Sequence, residues 1–254
     1  MLKERRIKQI HEYLIKNQSV SLDELVRVFH VSKNTIRRDV RELVERGDFK
    51  KVYGGVTINQ KNLESFHDRQ IKNQHEKAII GKLAARFVDE EDIIFLDSGT
   101  TTIEMFNYIK DKRLTVLTNN LEFIERSIPY NNLNVISTGG ILERKTKSLS
   151  NYNNLNLLKN YNINKAFMAA TGISITNGVT NASPYETKLK HTIVEKCNKI
   201  YLLVDHNKFE SCGLMTYCQL NDIDFIITNK TPQKEYLEYF TENQIQLIVG
   251  QNPM

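Results

Sequence analysis

Apolar residues recur at helical spacing along the first 46 residues of the chain, then give way to short alternating and continuous runs. Leu2, Ile7, Ile10, Leu14 and Ile15 fall on one face, which predicts a helix over Leu2–Lys16. A second helix is predicted over Ser21–Phe29, where Ser21 and Glu24 have capping-box spacing. After the short connection His30-Val31, Ile36, Val40 and Leu43 recur at i, i+4 and i+7, and Ser32 stands where an N-cap belongs, so Ser32–Arg46 reads as a third helix. Beyond Gly47, Phe49–Tyr53 and Val56–Ile58 read as two strands joined at Gly54-Gly55. Three helices followed by a hairpin predict a winged helix-turn-helix domain over residues 1–61.

The pattern then changes. Residues 62–74 are polar without a strong period and are expected to form a linker. From His75 to the end, helical stretches alternate with apolar runs. Ile79, Ile80, Leu83, Ala84 and Phe87 mark a helix, another starts near Thr101, and 121–128, 185–197 and 232–242 read as further helices. Strands are predicted at 93–97, 115–119, 133–138, 166–171, 200–205, 225–229 and 246–250. Such alternation predicts an α/β domain over 75–254 with a mostly parallel sheet covered on both faces. Asparagine is abundant at 151–164, but interleaved apolar residues argue for an ordered connection there.

Charge sharpens the division. Residues 1–61 hold 14 Lys and Arg against 8 Asp and Glu, a net of +6, while the remaining 193 hold 21 against 22. Positive charge confined to a helix-turn-helix is what phosphate neutralisation on DNA requires, and a membrane-surface role is the weaker alternative. No apolar run approaches the roughly 20 residues needed to span a bilayer, and the charged N-terminus lacks a signal peptide's apolar core, so a cytoplasmic protein is expected. Cys197, Cys212 and Cys218 have no close paired spacing, which argues against a zinc site or a disulfide framework.

Candidate chemistry falls in two places. On the third helix, Ser32, Lys33, Asn34, Thr35, Arg37, Arg38 and Arg41 lie off the apolar stripe and are candidates for contact with DNA, joined by Lys50, Lys51 and Tyr53 of the hairpin. The second place is the carboxyl ends of the strands, where ligands of parallel sheets sit. The run Asp97, Ser98, Gly99, Thr100, Thr101 follows a strand and opens a helix, an arrangement suited to an anion. No Gly-Lys-Ser/Thr follows, so it is not a Walker loop. Gly139 and Gly140 form a second turn after a strand. Glu186 and Lys190, four apart, share a helix face and could reach opposite sides of one polar ligand; on spacing alone a surface ion pair is the better reading. Asp205 and Lys208 end another strand, a carboxylate for sugar hydroxyls and a point charge for phosphate. No nucleophile–base–orienter set is present, and no cofactor or metal is expected.

Together these residues resemble the DeoR family of bacterial transcription regulators along essentially the whole chain. The family's Ser-x-x-Thr-Ile-Arg-Arg-Asp signature is matched by Ser32, Thr35, Ile36, Arg37, Arg38 and Asp39, and a basic wing ending in Gly-Gly follows. The resemblance implies a sensor domain similar to ribose-5-phosphate isomerase that binds sugar phosphates. Its Asp-Ser-Gly-Thr-Thr loop is present as Asp97–Thr101, its glycine turn as Gly139-Gly140, and its Glu, Lys and Asp-x-x-Lys positions as Glu186, Lys190, Asp205 and Lys208; Lys77 matches a commonly basic position. Two departures stand out. Ala169-Ala170-Thr171-Gly172-Ile173 replaces the frequent Gly-Ala-Asp-Gly-Ile, and Tyr53 stands where His is frequent.

The resemblance implies a homo-oligomeric repressor, dimer or tetramer, that reads double-stranded operator DNA and is released by a phosphorylated sugar effector. The alternative is a sugar-phosphate isomerase with a DNA-binding appendage, against which the loss of a carboxylate at Thr171 counts.

Overall fold

The computed structural model describes residues 3–17, 19–45, 49–52, 54–58, 66–150, 158 and 160–250, together with most of their side chains. The expectations for Leu2, Arg46, Gly47, Tyr53, the Ile15 side chain, residues 62–65 and residues 151–157 lie outside the described residues. The chain forms two compact units, Met1–Glu64 and Ser65–Met254.

In the first unit, α1 (Lys3–Asn17), α2 (Leu22–Phe29) and α3 (Lys33–Glu45) surround a small core with Ile7, Ile10, Leu14, Leu25, Ile36, Val40 and Leu43 buried in it. Strands β1 (Ser19–Ser21), β2 (Phe49–Val52) and β3 (Gly55–Ile58) form an antiparallel sheet in the order β1-β3-β2. The pattern missed β1, whose three residues include one apolar side chain. Gly55 is required there: a Cβ on it would run into the Val20 backbone. Only half of the expected capping box forms. Glu24 N donates to Ser21 Oγ at 3.1 Å, but Glu24 Oε1 accepts from Tyr13 OH at 2.9 Å and so ties α2 to α1 instead.

The second unit opens with α4 (Phe66–Ile71) and α5 (Gln74–Ala84), so half of the stretch expected as linker is helix. Phe66 is buried in the unit's core and supplies the apolar anchor that a polar reading of 62–74 overlooked. The strands that follow are β4 (Ile93–Leu96), β5 (Leu114–Thr118), β6 (Leu133–Ser137), β7 (Ile141–Glu143), β8 (Ser148–Ser150), β9 (Lys165–Ala169), β10 (Gly172–Ser174), β11 (Gly178–Asn181), β12 (Lys199–Leu203), β13 (Met215–Cys218), β14 (Phe225–Thr228) and β15 (Gln246–Val249). The helices between them are α6 (Phe106–Ile109), α7 (Leu121–Ser127), α8 (Pro184–Lys196) and α9 (Lys234–Glu242). The helix expected near Thr101 is a 3-10 turn, Thr102–Met105, running into the single turn of α6.

Seven strands form one parallel sheet, in the order β15-β14-β12-β9-β4-β5-β6. Alternate residues enter opposite cores. Phe95, Ala166, Met168, Leu202 and Ile226 pack in one, and Ile94, Leu96, Phe167, Tyr201, Leu203 and Ile227 in the other. From β4 the chain steps outward through β5 and β6, and from β9 it steps the other way. The switch point therefore lies between β4 and β9, where ligands of such sheets enter. Two antiparallel additions escaped the apolar pattern, the hairpin β7–β8 and the sheet β10-β11-β13. Their strands are three or four residues long, too short for a period-two signal.

Candidate functional site

Helix α3 buries its apolar stripe and turns a basic face outward, and its one buried carboxylate is neutralised from behind. Asp39 lies on the apolar stripe with Ile36, Val40 and Leu43 and is fully buried. Arg6 of α1 grips it with both arms, Nε to Oδ2 at 2.6 Å and Nη2 to Oδ1 at 3.3 Å. Asn34, Arg37, Arg38 and Arg41 are exposed, as are Lys50 and Lys51 on β2. Three of the expected DNA contacts have other work. Ser32 Oγ accepts from Thr35 N at 3.2 Å and bonds Thr35 Oγ1 at 2.9 Å, so these hydroxyls cap the helix. Lys33 Nζ lies 2.6 Å from Asp23 Oδ1 and links α3 to α2.

At the switch point the loop after β4 closes a buried polar network. Asp97 Oδ2 accepts from Ala169 N on β9 at 2.9 Å and from Lys190 Nζ at 2.6 Å, and its Oδ1 accepts from Ser98 N at 2.8 Å. Lys190 also donates to Ala169 O at 2.9 Å, with its ammonium 5.2 Å from the centre of the Tyr217 ring. Glu186, one turn earlier on α8, accepts from Ser98 Oγ at 3.3 Å, Ser148 Oγ at 2.5 Å and Asn181 Nδ2 at 3.1 Å. Both α8 residues are buried. Each has its own partners in the interior, and the two do not form the surface ion pair that their spacing allowed.

Gly99 permits this closeness, since a Cβ there would collide with the Ala169 side chain. Thr102 Oγ1 donates to Asp97 O at 2.6 Å and Gly99 O at 2.9 Å, which fixes the loop from within. The amides of Gly99, Thr100 and Thr101 donate to no acceptor among the described residues, and such a run of backbone donors suits an anion. Gly139 and Gly140 both have positive φ and turn the chain into the hairpin β7–β8; the hairpin's Ser148 is what reaches Glu186.

Asp205, Lys208 and Lys77 gather near the end of β12. Asp205 is buried; its Oδ1 accepts from Asn207 N at 2.9 Å and from Asn73 Nδ2 at 3.4 Å, and its Oδ2 meets no donor among the described residues. Lys77 is buried on α5 and donates to the carbonyls of Arg69 and Lys72. Burial pushes its ammonium down to about 8, with Asp205 opposing that shift and Lys208 adding to it.

Sequence reasoning missed Asn119, Asn120, Ser148 and Asn181. Asn119 Nδ2 donates to Ser98 Oγ at 3.1 Å, and Asn120 Nδ2 to Asp97 O at 3.3 Å. A polar pair at a strand's carboxyl end was a readable signal for the two asparagines. Ser148 and Asn181 sit on strands that the pattern did not reveal. Thr171 Oγ1, where the resemblance led one to look for a carboxylate, accepts from Ala182 N at 3.0 Å and ties the connection between β9 and β10 to the residue after β11.

A winged helix-turn-helix unit with an outward arginine face, carried on the same chain as a parallel α/β unit, defines a DNA-binding transcription regulator. Residues 6–62 match the DeoR-like helix-turn-helix domain and residues 72–230 the DeoR C-terminal sensor domain. The chain belongs to the DeoR family. It is 43% identical to the HTH-type transcriptional regulator IolR of Bacillus subtilis over 96% of this chain and 98% of that one. It is 26% identical to the glycerol-3-phosphate regulon repressor of Escherichia coli, over 92% and 94% of the two chains. Ribose 5-phosphate isomerase A of Methanocaldococcus jannaschii aligns over 54% of this chain and 55% of that one, at 17% identity and a TM-score of 0.39.

Proposed function

We propose that the protein is a cytoplasmic repressor of carbohydrate-utilisation genes, that it binds operator DNA as a homo-oligomer, and that a phosphorylated sugar lowers that binding. The observation that carries this reading is the loop Asp97–Thr101 at the switch point, with three backbone amides unclaimed among the described residues. Lys208 and Asp205 at the end of a nearby strand suit the phosphate and the hydroxyls of one ligand. The name of the E. coli relative, a glycerol-3-phosphate regulon repressor, agrees with a phosphorylated effector. Paired reading heads on paired half-sites call for at least a dimer.

The test is operator binding to the chain's own promoter region, titrated with a panel of phosphorylated sugars and their unphosphorylated forms. At least one phosphorylated member should weaken binding while its parent sugar does not. Lys208→Ala should keep operator binding without effector and blunt the release. Equal release in that variant removes Lys208 from the site. Release by the parent sugars alone sinks the phosphate reading.

The isomerase alternative draws on the same loop with Glu186 and Lys190. Thr171 supplies a hydroxyl already engaged by Ala182 rather than a carboxylate, and this weighs against it. Turnover of pentose or hexose phosphates abolished by Lys190→Ala would reverse the choice.

A further inference from the structure

Helix α4 follows directly on the stretch of chain that leads from the DNA-binding unit, and residues on the effector side of the sensor hold it at both ends. At its start, Phe66 N donates to Lys145 O at 2.7 Å, in the turn of the hairpin β7–β8. The buried Phe66 ring has the Lys147 ammonium 5.5 Å and the Arg69 guanidinium 5.8 Å from its centre. The same hairpin carries Ser148, which donates to Glu186. At its end, Lys77 reaches back from α5 and donates to Arg69 O and, at 2.6 Å, to Lys72 O. Asn73, the left-handed residue between the two helices (φ +54°), donates to Asp205.

The terminal carbonyls of a helix have no partner within it, so an outside donor decides how firmly the last turn is held. Here that donor is a lysine that is 4% exposed and stands near Asp205 and Lys208. A phosphate competes for it, because its full negative charge attracts the ammonium more strongly than the dipole of a neutral carbonyl does. Lys72 is exposed and Arg69 half-buried, so water can replace Lys77 on their carbonyls.

We propose that α4 is the switch element of the sensor: an anionic effector draws Lys77 off the α4 carbonyls, and the loosened helix changes the tether of the DNA-binding unit. This rests on the effector reading above and adds to it the route by which the ligand acts. Lys77 is a positioning residue here, acting on DNA only through α4.

The experiment is hydrogen–deuterium exchange on the full-length protein with and without saturating inorganic phosphate, repeated for Lys77→Met and Lys77→Arg. In the wild type, phosphate should slow exchange over residues 98–101 and speed it about tenfold over 68–72, the size expected when a charge-assisted bond guarding a local opening is lost. Lys77→Met should exchange fast over 68–72 without phosphate and show no further response, and Lys77→Arg should restore slow exchange. Slowing over 98–101 with α4 unchanged overturns the switch and leaves the effector site standing. No change in either segment counts against the effector reading itself, and the switch falls with it. Should Lys77→Met fail to fold, the wild-type comparison decides alone.

Discussion

The Lys190 ammonium lies 2.6 Å from Asp97 Oδ2, and the two side chains are 3% and 0% exposed. This pair joins α8 to the loop after β4 across the switch point. Removing one member of a buried pair strands the other without water or counter-charge, which costs about 3–5 kcal/mol. Lys190→Met should therefore lower the sensor's unfolding free energy by about that amount in urea denaturation. Adding Asp97→Asn should recover part of the loss, with a coupling of about 0.5–3 kcal/mol. A loss within about 0.5 kcal/mol of zero for Lys190→Met alone would show that the pair contributes little.

Two neighbours on α3 should behave in opposite ways. Arg37 is exposed, so Arg37→Ala should leave the melting of the DNA-binding unit unchanged and cost about 1–3 kcal/mol in operator binding, with relaxed selectivity near its contact. Asp39→Ala removes the buried carboxylate that Arg6 grips, so its loss of DNA binding should come with a loss of about 3–5 kcal/mol in fold stability. Circular dichroism melts beside anisotropy titrations separate the two. Unweakened, equally selective binding by Arg37→Ala would falsify its role in reading DNA.

The sequence pattern reached the reading head and all seven parallel strands because both are built on strong periodicities. Ile36, Val40 and Leu43 repeat at helical spacing, and runs such as 93–97 and 200–205 are apolar on both faces. It did not reach what depends on long-range pairing. Asp39 sits inside the family signature on α3, yet its partner Arg6 is 33 residues away. Glu186 and Lys190 look like a surface pair, and only the positions of Asp97, Ser148 and Asn181 in three dimensions make them interior groups. Ser32 is legible as an N-cap, whereas the part Thr35 takes in that cap shows only in the hydrogen-bond geometry.

Lys77 gives a pH signature with a definite sign. Burial lowers its folded-state value from 10.5 to about 8, so between those values the unfolded chain holds a proton that the folded chain has released. Stability contributed by this group therefore rises as pH increases from about 8 toward 10.5, and the burial penalty is fully present below about 8. The difference in urea midpoint between wild type and Lys77→Met, followed from pH 7 to 10, isolates that contribution from the tyrosines and other lysines. The wild type should gain on the variant as pH rises. Parallel curves would mean that Lys77 keeps an ordinary value in the fold.

Gly99 and Ala169 meet at the point where β4 and β9 diverge, and a Cβ on residue 99 would occupy the space of the Ala169 methyl group. Gly99→Ala must push the loop 97–101 away from β9, which strains the bonds from Ala169 N and Lys190 Nζ to Asp97. Overpacking of this kind costs about 1–3 kcal/mol. The same displacement moves the amides of residues 99–101, so the response to a phosphorylated effector should weaken as well. Ala169→Gly removes the obstructing methyl, and the double variant should regain both stability and effector response. Its coupling energy, about 0.5–3 kcal/mol for residues in contact, is measurable from four unfolding curves. Additive losses in the double variant would place the strain of Gly99→Ala elsewhere in the loop, and a normal effector response in Gly99→Ala would mean that the loop's placement does not govern effector binding.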